Sequence, residues 1–277
     1  MAFLPGSLEK LLGIYFVTRI AVDMFRFKSG TPVSVMMMVL GGATILFAVM
    51  MALIQHDYKR LLAYHSISQV GYMILGIGTA TPIGIVGGIY HALNNAVYKS
   101  CLFLTAGSVE MGCGTSNLEK LGGLRKRMPV TFACFMIAAA SISGVPPFNG
   151  FFSKELIFEG ALESGIIYYL IAAVGAFFTA ASFLKLGHAV YFGRVQRDTE
   201  NATEAPLSML APMIMLSALC ILFGVYNRLP LQYLIEPVLG NRISGTFSGL
   251  PKSPLLTVIS LAILLFSCLD HIWGFRR

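Results

Sequence analysis

Long apolar runs alternate with short polar punctuation along almost the whole chain. A helix needs about 20 apolar residues to cross a bilayer, and runs of that size predict helices near 7–26, 32–55, 60–79, 83–108, 129–160, 164–192, 206–226 and 254–275. Two of them depart from a plain span. The first, "LEKLLGIYFVTRIAVDMF", carries Glu9, Lys10, Arg19 and Asp23, so it cannot face lipid all round and needs protein neighbours. The fifth is too long for one helix and holds Gly144, Pro146, Pro147 and Gly150 in "ASISGVPPFNGFFSKELIF". Two prolines remove two amide donors and clash with the preceding turn, so the helix breaks there. At membrane depth a broken backbone survives only inside protein or beside water.

Composition agrees with that pattern. Of the 277 residues, 56% are hydrophobic and 12% charged, about half the charged share of a soluble domain. The fold class is therefore all-α, a polytopic membrane bundle of about eight helices. The net charge of +7 does not point to nucleic acid, because the basic residues fall in short loops. The opening residues, with Pro5, Glu9 and Lys10, lack the pattern of a cleaved leader. Cys101, Cys113, Cys134, Cys220 and Cys268 are scattered with no CxxC, so neither a zinc site nor an iron–sulfur cluster is expected. P-loop, GxGxxG, HExxH and nucleophile-elbow motifs are missing as well.

Loop charges set the expected orientation. Lys59, Arg60, Lys120, Arg125, Lys126, Arg127, Arg194, Arg197, Arg276 and Arg277 fall on one side; Arg26, Lys28, Arg228, Arg242 and Lys252 fall on the other. The positive-inside rule places the first set, and both chain ends, in the cytoplasm. The Pro/Gly-broken stretch 227–252 is amphipathic and expected at the outer surface, and Trp273 reads as an interface anchor.

Chemistry has few places to sit. In "YHALNNAVYKSCLFL", His91, Asn95 and Lys99 are spaced i, i+4, i+8 on one helix face. His91 and Lys99 are then roughly 12 Å apart along the axis, a gap that Asn95 with a water or two can bridge. Two readings of Lys99 stand: a station for ion passage, or a structural lysine paired with a carboxylate on another helix. Lys154 and Glu155 follow the proline break. They read as an ion site between half-helices, or as an interfacial end with Lys154 snorkelling. Lys10 beside Glu9 occupies a similar position in the first helix. Accessory candidates are His65, read as an interhelical hydrogen-bond donor, and Lys185 with His188, read as snorkelling near a helix end. Lys59 and Arg60 read as loop charges.

Four stretches, "HDYKRLLAYHSISQVGYMILGIG", "YHALNNAVYKSCLFLTAGSVEM", "LGGLRKRMPVTF" and "SGVPPFNGFFSKELIF", together resemble one family. It is the antiporter-like, proton-pumping membrane subunits of complex I, group 4 membrane-bound [NiFe] hydrogenases, formate hydrogenlyase and Mrp antiporters. "LPGSLEKLLGIYFVTRI" looks most like the hydrogenase branch, and the likeness spans roughly residues 3–195. It implies two inverted five-helix repeats, each with a broken helix and a lysine half-channel, of which this chain resembles the second. Residues 1–28 would then be the linking helix that closes the first repeat, 29–195 the repeat itself, and 196–277 extra helices. Lys99 matches the family's central lysine, Asn95 stands where many members have histidine, and His91 matches a further histidine. Lys154 matches the lysine of the broken helix, and Lys10 falls near the lysine linking the half-channels.

The resemblance further implies a subunit of a redox-driven complex in a bacterial or archaeal cytoplasmic membrane, moving protons or Na⁺. It implies no catalytic redox site in this chain, with iron–sulfur, NiFe or flavin groups only in peripheral redox partners. Expected partners are lipid and other membrane subunits, among them a chain supplying first-repeat helices or a neighbouring antiporter-like subunit. The alternatives are an Mrp-type Na⁺/H⁺ antiporter component with no redox partner and a non-conducting structural subunit.

Overall fold

A computed structural model describes residues 9–239, 257–262 and 264–265. Among the described residues, eight long helices follow the apolar runs: α1 (Glu9–Thr18), α2 (Pro32–Leu53), α3 (Tyr58–Gly78), α4 (Pro82–Cys113), α5 (Pro129–Ser143), α6 (Asn149–Ser164), α7 (Ile166–Gly187) and α8 (Leu207–Val225). α1 and α7 each continue into a wider π-wound turn, Arg19–Met24 and His188–Phe192. The expected helix at 254–275 is described only at 257–262 and 264–265, where it is helical. Trp273, Arg242 and Lys252 lie outside the described residues.

Local chemistry explains most helix ends. Thr31 and Thr81 cap α2 and α4, each with a proline in the first turn. α3 starts two residues earlier than its apolar run because Asp57 accepts from the Arg60 amide at 2.8 Å. α4 runs five residues past its predicted end, because Glu110 is ion-paired with Lys59 and the helix stops at Gly114, with φ 70°. Lys59 is therefore the α3 partner of that pair rather than a loop charge. The predicted break falls between Ser143 and Asn149, with Gly144 at φ 82° closing α5.

Packing separates two kinds of helix. α2, α7 and α8 are apolar enough and long enough to span a bilayer by themselves, and many of their large side chains face outward, Phe47, Ile167 and Leu207 among them. α3, α4 and α6 carry the polar residues and bury them: His65, Gln69, His91, Asn95, Lys99 and Lys154 are all at most 2% exposed. This is the division a membrane imposes, with the polar groups turned toward protein. Close approach needs small residues. A Cβ on Gly41 of α2 would sit 2.7 Å from the Leu75 amide nitrogen of α3, and one on Gly71 would sit 2.7 Å from the Gly41 carbonyl.

The amphipathic stretch after α8 is helical through Leu239, in three short pieces. Leu231, Ile235 and Leu239 bury one face against Ile83, Val86 and Tyr90 of α4, while Tyr233 and Leu234 stay outside. Its continuation at 240–252 lies outside the described residues.

Candidate functional site

A polar seam runs through the bundle where α3, α4, α6 and α7 meet. α3 contributes His65, Ser68, Gln69 and Tyr72, one face at i, i+3, i+4 and i+7. α4 contributes His91, Asn95, Tyr98 and Lys99, and the broken segment contributes Asn149, Ser153 and Lys154. Of these, only His65, His91, Asn95, Lys99 and Lys154 stand out in the sequence as chemistry. Gln69, Tyr98, Ser153 and Asn149 are neutral residues, and no charge in an apolar run draws attention to them.

His91 is held on both ring nitrogens. Nδ1 lies 2.9 Å from Ser153 Oγ, and Nε2 lies 3.0 Å from Gln69 Oε1 and 3.3 Å from Tyr98 Oη. Asn95 donates to Tyr98 Oη at 3.2 Å. Asn95 thus joins His91 through Tyr98, and among the described residues it makes no direct bond to Lys99 Nζ. Lys99 is fully buried, and its Nζ has no hydrogen-bond partner among the described residues. It lies 5.8 Å from the Phe103 ring centroid and 5.9 Å from that of Phe183, within cation–π range. The reading of Lys99 as half of a buried carboxylate pair is thereby excluded among the described residues.

Lys154 is placed differently. α5 ends at the break with carbonyls that no helical amide reaches, and Lys154 Nζ donates to one of them, Ile142 O, at 2.7 Å. An ammonium at a helix C-terminus also meets the negative end of its dipole. The ammonium lies 5.3 Å from the Tyr72 ring centroid. Lys154 is 2% exposed, so the reading in which it snorkels to the surface fails. Glu155 points elsewhere, accepting from Thr257 at 3.5 Å. A cavity of about 10 Å³ lies between them, lined by Ser143, Gly144, Lys154, Glu155 and Ser260; about that volume admits one water. The break itself is pinned by paired amides: Asn94 donates to Asn149 O at 2.9 Å, and Asn149 donates to Asn94 Oδ1 at 3.1 Å. Ser141 adds a bond to Asn149 Oδ1 at 2.8 Å.

The remaining candidates scatter. Lys10 Nζ is buried with no hydrogen-bond partner among the described residues. Glu9 is exposed. His65 Nε2 lies 2.8 Å from Ser182 Oγ, linking α3 to α7. Lys185 does not snorkel: it donates at 2.8 Å to Leu53 O and caps the C-terminus of α2. His188 stacks on Phe192 with centroids 6.5 Å apart, away from the seam.

The chain is similar to known membrane proteins in sequence and in overall fold. Residues 1–179 match the family described as NADH:quinone oxidoreductase/Mrp antiporter, transmembrane. The chain is 35% identical over 237 residues to a Na⁺/H⁺ antiporter protein of Alkalihalophilus pseudofirmus, covering 85% of this chain and 48% of that protein. It is 31% identical over 286 residues to hydrogenase-4 component B of Escherichia coli, covering 94% of this chain and 41% of the relative. Among solved structures, one protein of the membrane-bound sulfane sulfur reductase, an archaeal respiratory membrane complex, superposes with a TM-score of 0.75 at 29% identity. That match covers 95% of this chain and 45% of the other. The chain thus spans less than half the length of each of these three relatives. With the family matched over well more than half of the chain, and with its apolar helices outside and polar groups within, this protein is an integral membrane protein of the NADH:quinone oxidoreductase/Mrp antiporter transmembrane family.

Proposed function

We propose that this chain conducts protons, or Na⁺ in their place, across a bacterial or archaeal cytoplasmic membrane as a subunit of a redox-driven complex. The ion enters near Lys10 or from the cytoplasmic side, passes Lys99 with the help of His91 and Asn95, and leaves through Lys154, beside which Glu155 stands. The observation that carries this reading is Lys99, an ammonium fully buried with no protein partner among the described residues. Removing an ammonium from water costs several kcal/mol unless something compensates. A site that takes up and releases a proton meets that cost only for part of each cycle. Like charges repel strongly where the effective dielectric is low, so loading Lys10 would drive the proton off Lys99, and a partner that shifts charge near Lys10 would drive transport.

In this reading, iron–sulfur, NiFe or flavin groups belong to peripheral redox subunits. A neighbouring membrane subunit covers the outer side of α1, where Glu9 and the Arg19–Asp23 ion pair at 2.6 Å stand. Both ends of the chain lie in the cytoplasm. A second reading is favoured by the antiporter relative at 35% identity: the same path serves a Na⁺/H⁺ exchanger with no redox partner.

The test is Lys99→Ala in the intact complex, assayed in inverted membrane vesicles. The expected outcome is a complex that assembles, keeps any partner electron transfer, and no longer acidifies the lumen. Unchanged acidification would rule out the path and leave a structural subunit. Acidification driven by a reductant supports the redox reading, and acidification driven only by a sodium gradient supports the exchanger.

A further inference from the structure

The far end of α7 carries a surface that the proposed path does not use. The apolar span Ile166–Phe192 has 27 residues, about 40 Å of helix against a hydrocarbon core of about 30 Å. Its last turn, His188–Phe192, therefore stands in the headgroup layer, and Phe192 and Val195 are exposed there.

The loop between α4 and α5 is fastened to this turn. Leu121 and Leu124 share a buried core with Val190 and Tyr191, and a Cβ on Gly122 would collide with the Arg194 carbonyl oxygen. Arg125 lays its guanidinium over the Phe192 ring, 5.2 Å from the centroid, and Phe132 meets the same ring edge-on with centroids 5.4 Å apart. Stacking uses the face of a guanidinium and leaves its N–H edge open. The positive-inside rule asks only for basic residues in a loop. It asks for neither a tight junction of two loops nor an arginine laid on an exposed ring where a span ends.

Charge selects the occupant. The two loops expose Lys120, Arg125, Lys126, Arg127, Arg194 and Arg197 against Glu119, Asp198 and Glu200. None of those basic side chains forms an ion pair among the described residues. Glu204, the next acid, is taken up by the Val130 and Thr131 amides at the start of α5. A guanidinium edge grips two phosphate oxygens in parallel bonds, and each basic residue near a membrane surface adds to its pull on anionic lipid. A zwitterionic headgroup brings its own ammonium to a surface already in positive excess. An acidic protein would meet Phe192 and Val195 with polar surface.

We propose that Arg125, Arg194 and Phe192 form a seat for the headgroup of an anionic phospholipid. The phosphate lies on the two guanidinium edges, and the acyl chains pack beside Phe192.

The test uses the intact complex with Gln196, exposed between Arg194 and Arg197, replaced by photoreactive benzoylphenylalanine. Nanodiscs hold equal parts of phosphatidylglycerol and phosphatidylcholine, and mass spectrometry reads the lipid joined to this site. Phosphatidylglycerol adducts should predominate. Arg125→Gln with Arg194→Gln should lower them at least about tenfold, since each surface charge is worth about fivefold. The matched pair Arg26→Gln with Arg228→Gln, on the side given to the opposite loop charges, should change them less than about twofold. Equal adducts of the two lipids, or equal losses from the two charge pairs, overturn the proposal. Adducts to another protein chain overturn it in favour of a subunit interface, and loss of the lipid adduct to competing inorganic phosphate overturns it in favour of a free-anion site. Should the Arg125 and Arg194 variant fail to assemble, salt decides on the native arginines. At about 1 M salt the screening length falls to about 3 Å, so the excess of phosphatidylglycerol adducts should disappear; an excess that persists overturns the charge-selected seat.

Discussion

Lys99 and Lys154 are both buried ammonium groups, yet the structure treats them differently. Lys154 follows a broken helix, and the break frees the Ile142 carbonyl, to which Nζ donates at 2.7 Å. Lys99 sits mid-way along α4, an unbroken helix of 32 residues. An intact helix satisfies its own carbonyls, so it has none to offer, and among the described residues Lys99 meets the faces of Phe103 and Phe183 instead. A break in a membrane helix is thus more than a bend. It releases backbone groups that hold a charge in place, and a charge on an unbroken helix stays free to come and go.

The strongest way to break this contrast is to remove the free charge. Lys99→Ala should lower ion translocation more than about tenfold, equivalent to at least ~1.4 kcal/mol, with the complex intact on a native gel; transport above half the native rate would show that Lys99 is not a station. Thermal unfolding should then separate the two lysines by sign. Lys154→Met strands the Ile142 carbonyl and should cost about 2 kcal/mol, read as a lower Tm in detergent. Lys99→Met removes an uncompensated buried ammonium and should leave Tm unchanged or higher. Equal losses in both variants would mean that the lysines are held alike.

A smaller effect tests what sets the break. Asn94→Ala removes the reciprocal bonds to Asn149 and should lower stability by about 1 kcal/mol, given the modest worth of side-chain hydrogen bonds in membranes. It should also weaken transport several-fold by letting Lys154 drift, and a transport rate equal to native would detach the break from the path. The smallest effect belongs to Lys185, which also donates to a helix-end carbonyl, Leu53 O, but apart from the seam. Lys185→Met should cost about 0.5 kcal/mol and leave transport unchanged. A transport defect there would show that capping a carbonyl is not what distinguishes Lys154.

The helices were legible because hydrocarbon thickness imposes one length on every span, and the break was legible because proline removes a donor wherever it stands. Lys99 and Lys154 were legible because a charge inside an apolar run is costly and therefore conspicuous. Their partners were not. Lys154 reads beside Glu155 as a charged pair, yet consecutive helical residues point about 100° apart, and the two reach Ile142 and Thr257 instead. Lys185 reads as snorkelling because the end of α2, 132 residues away in sequence, cannot be seen from its own helix.

By itself, then, the amino-acid sequence determined the membrane class, the helices, the place of the break and the presence of two lysines within apolar runs, since each follows from a property local to one segment. Only the tertiary structure decided that, among the described residues, Lys99 would have no hydrogen-bond partner and Lys154 would be held. It alone decided that His91 would be tied on both nitrogens, and that His65 would bond Ser182, 117 residues along the chain, through Nε2 while its Nδ1 has no partner among the described residues. Hydrogen bonds reach about 3 Å, so which groups they join depends on how helices far apart in sequence pack against one another.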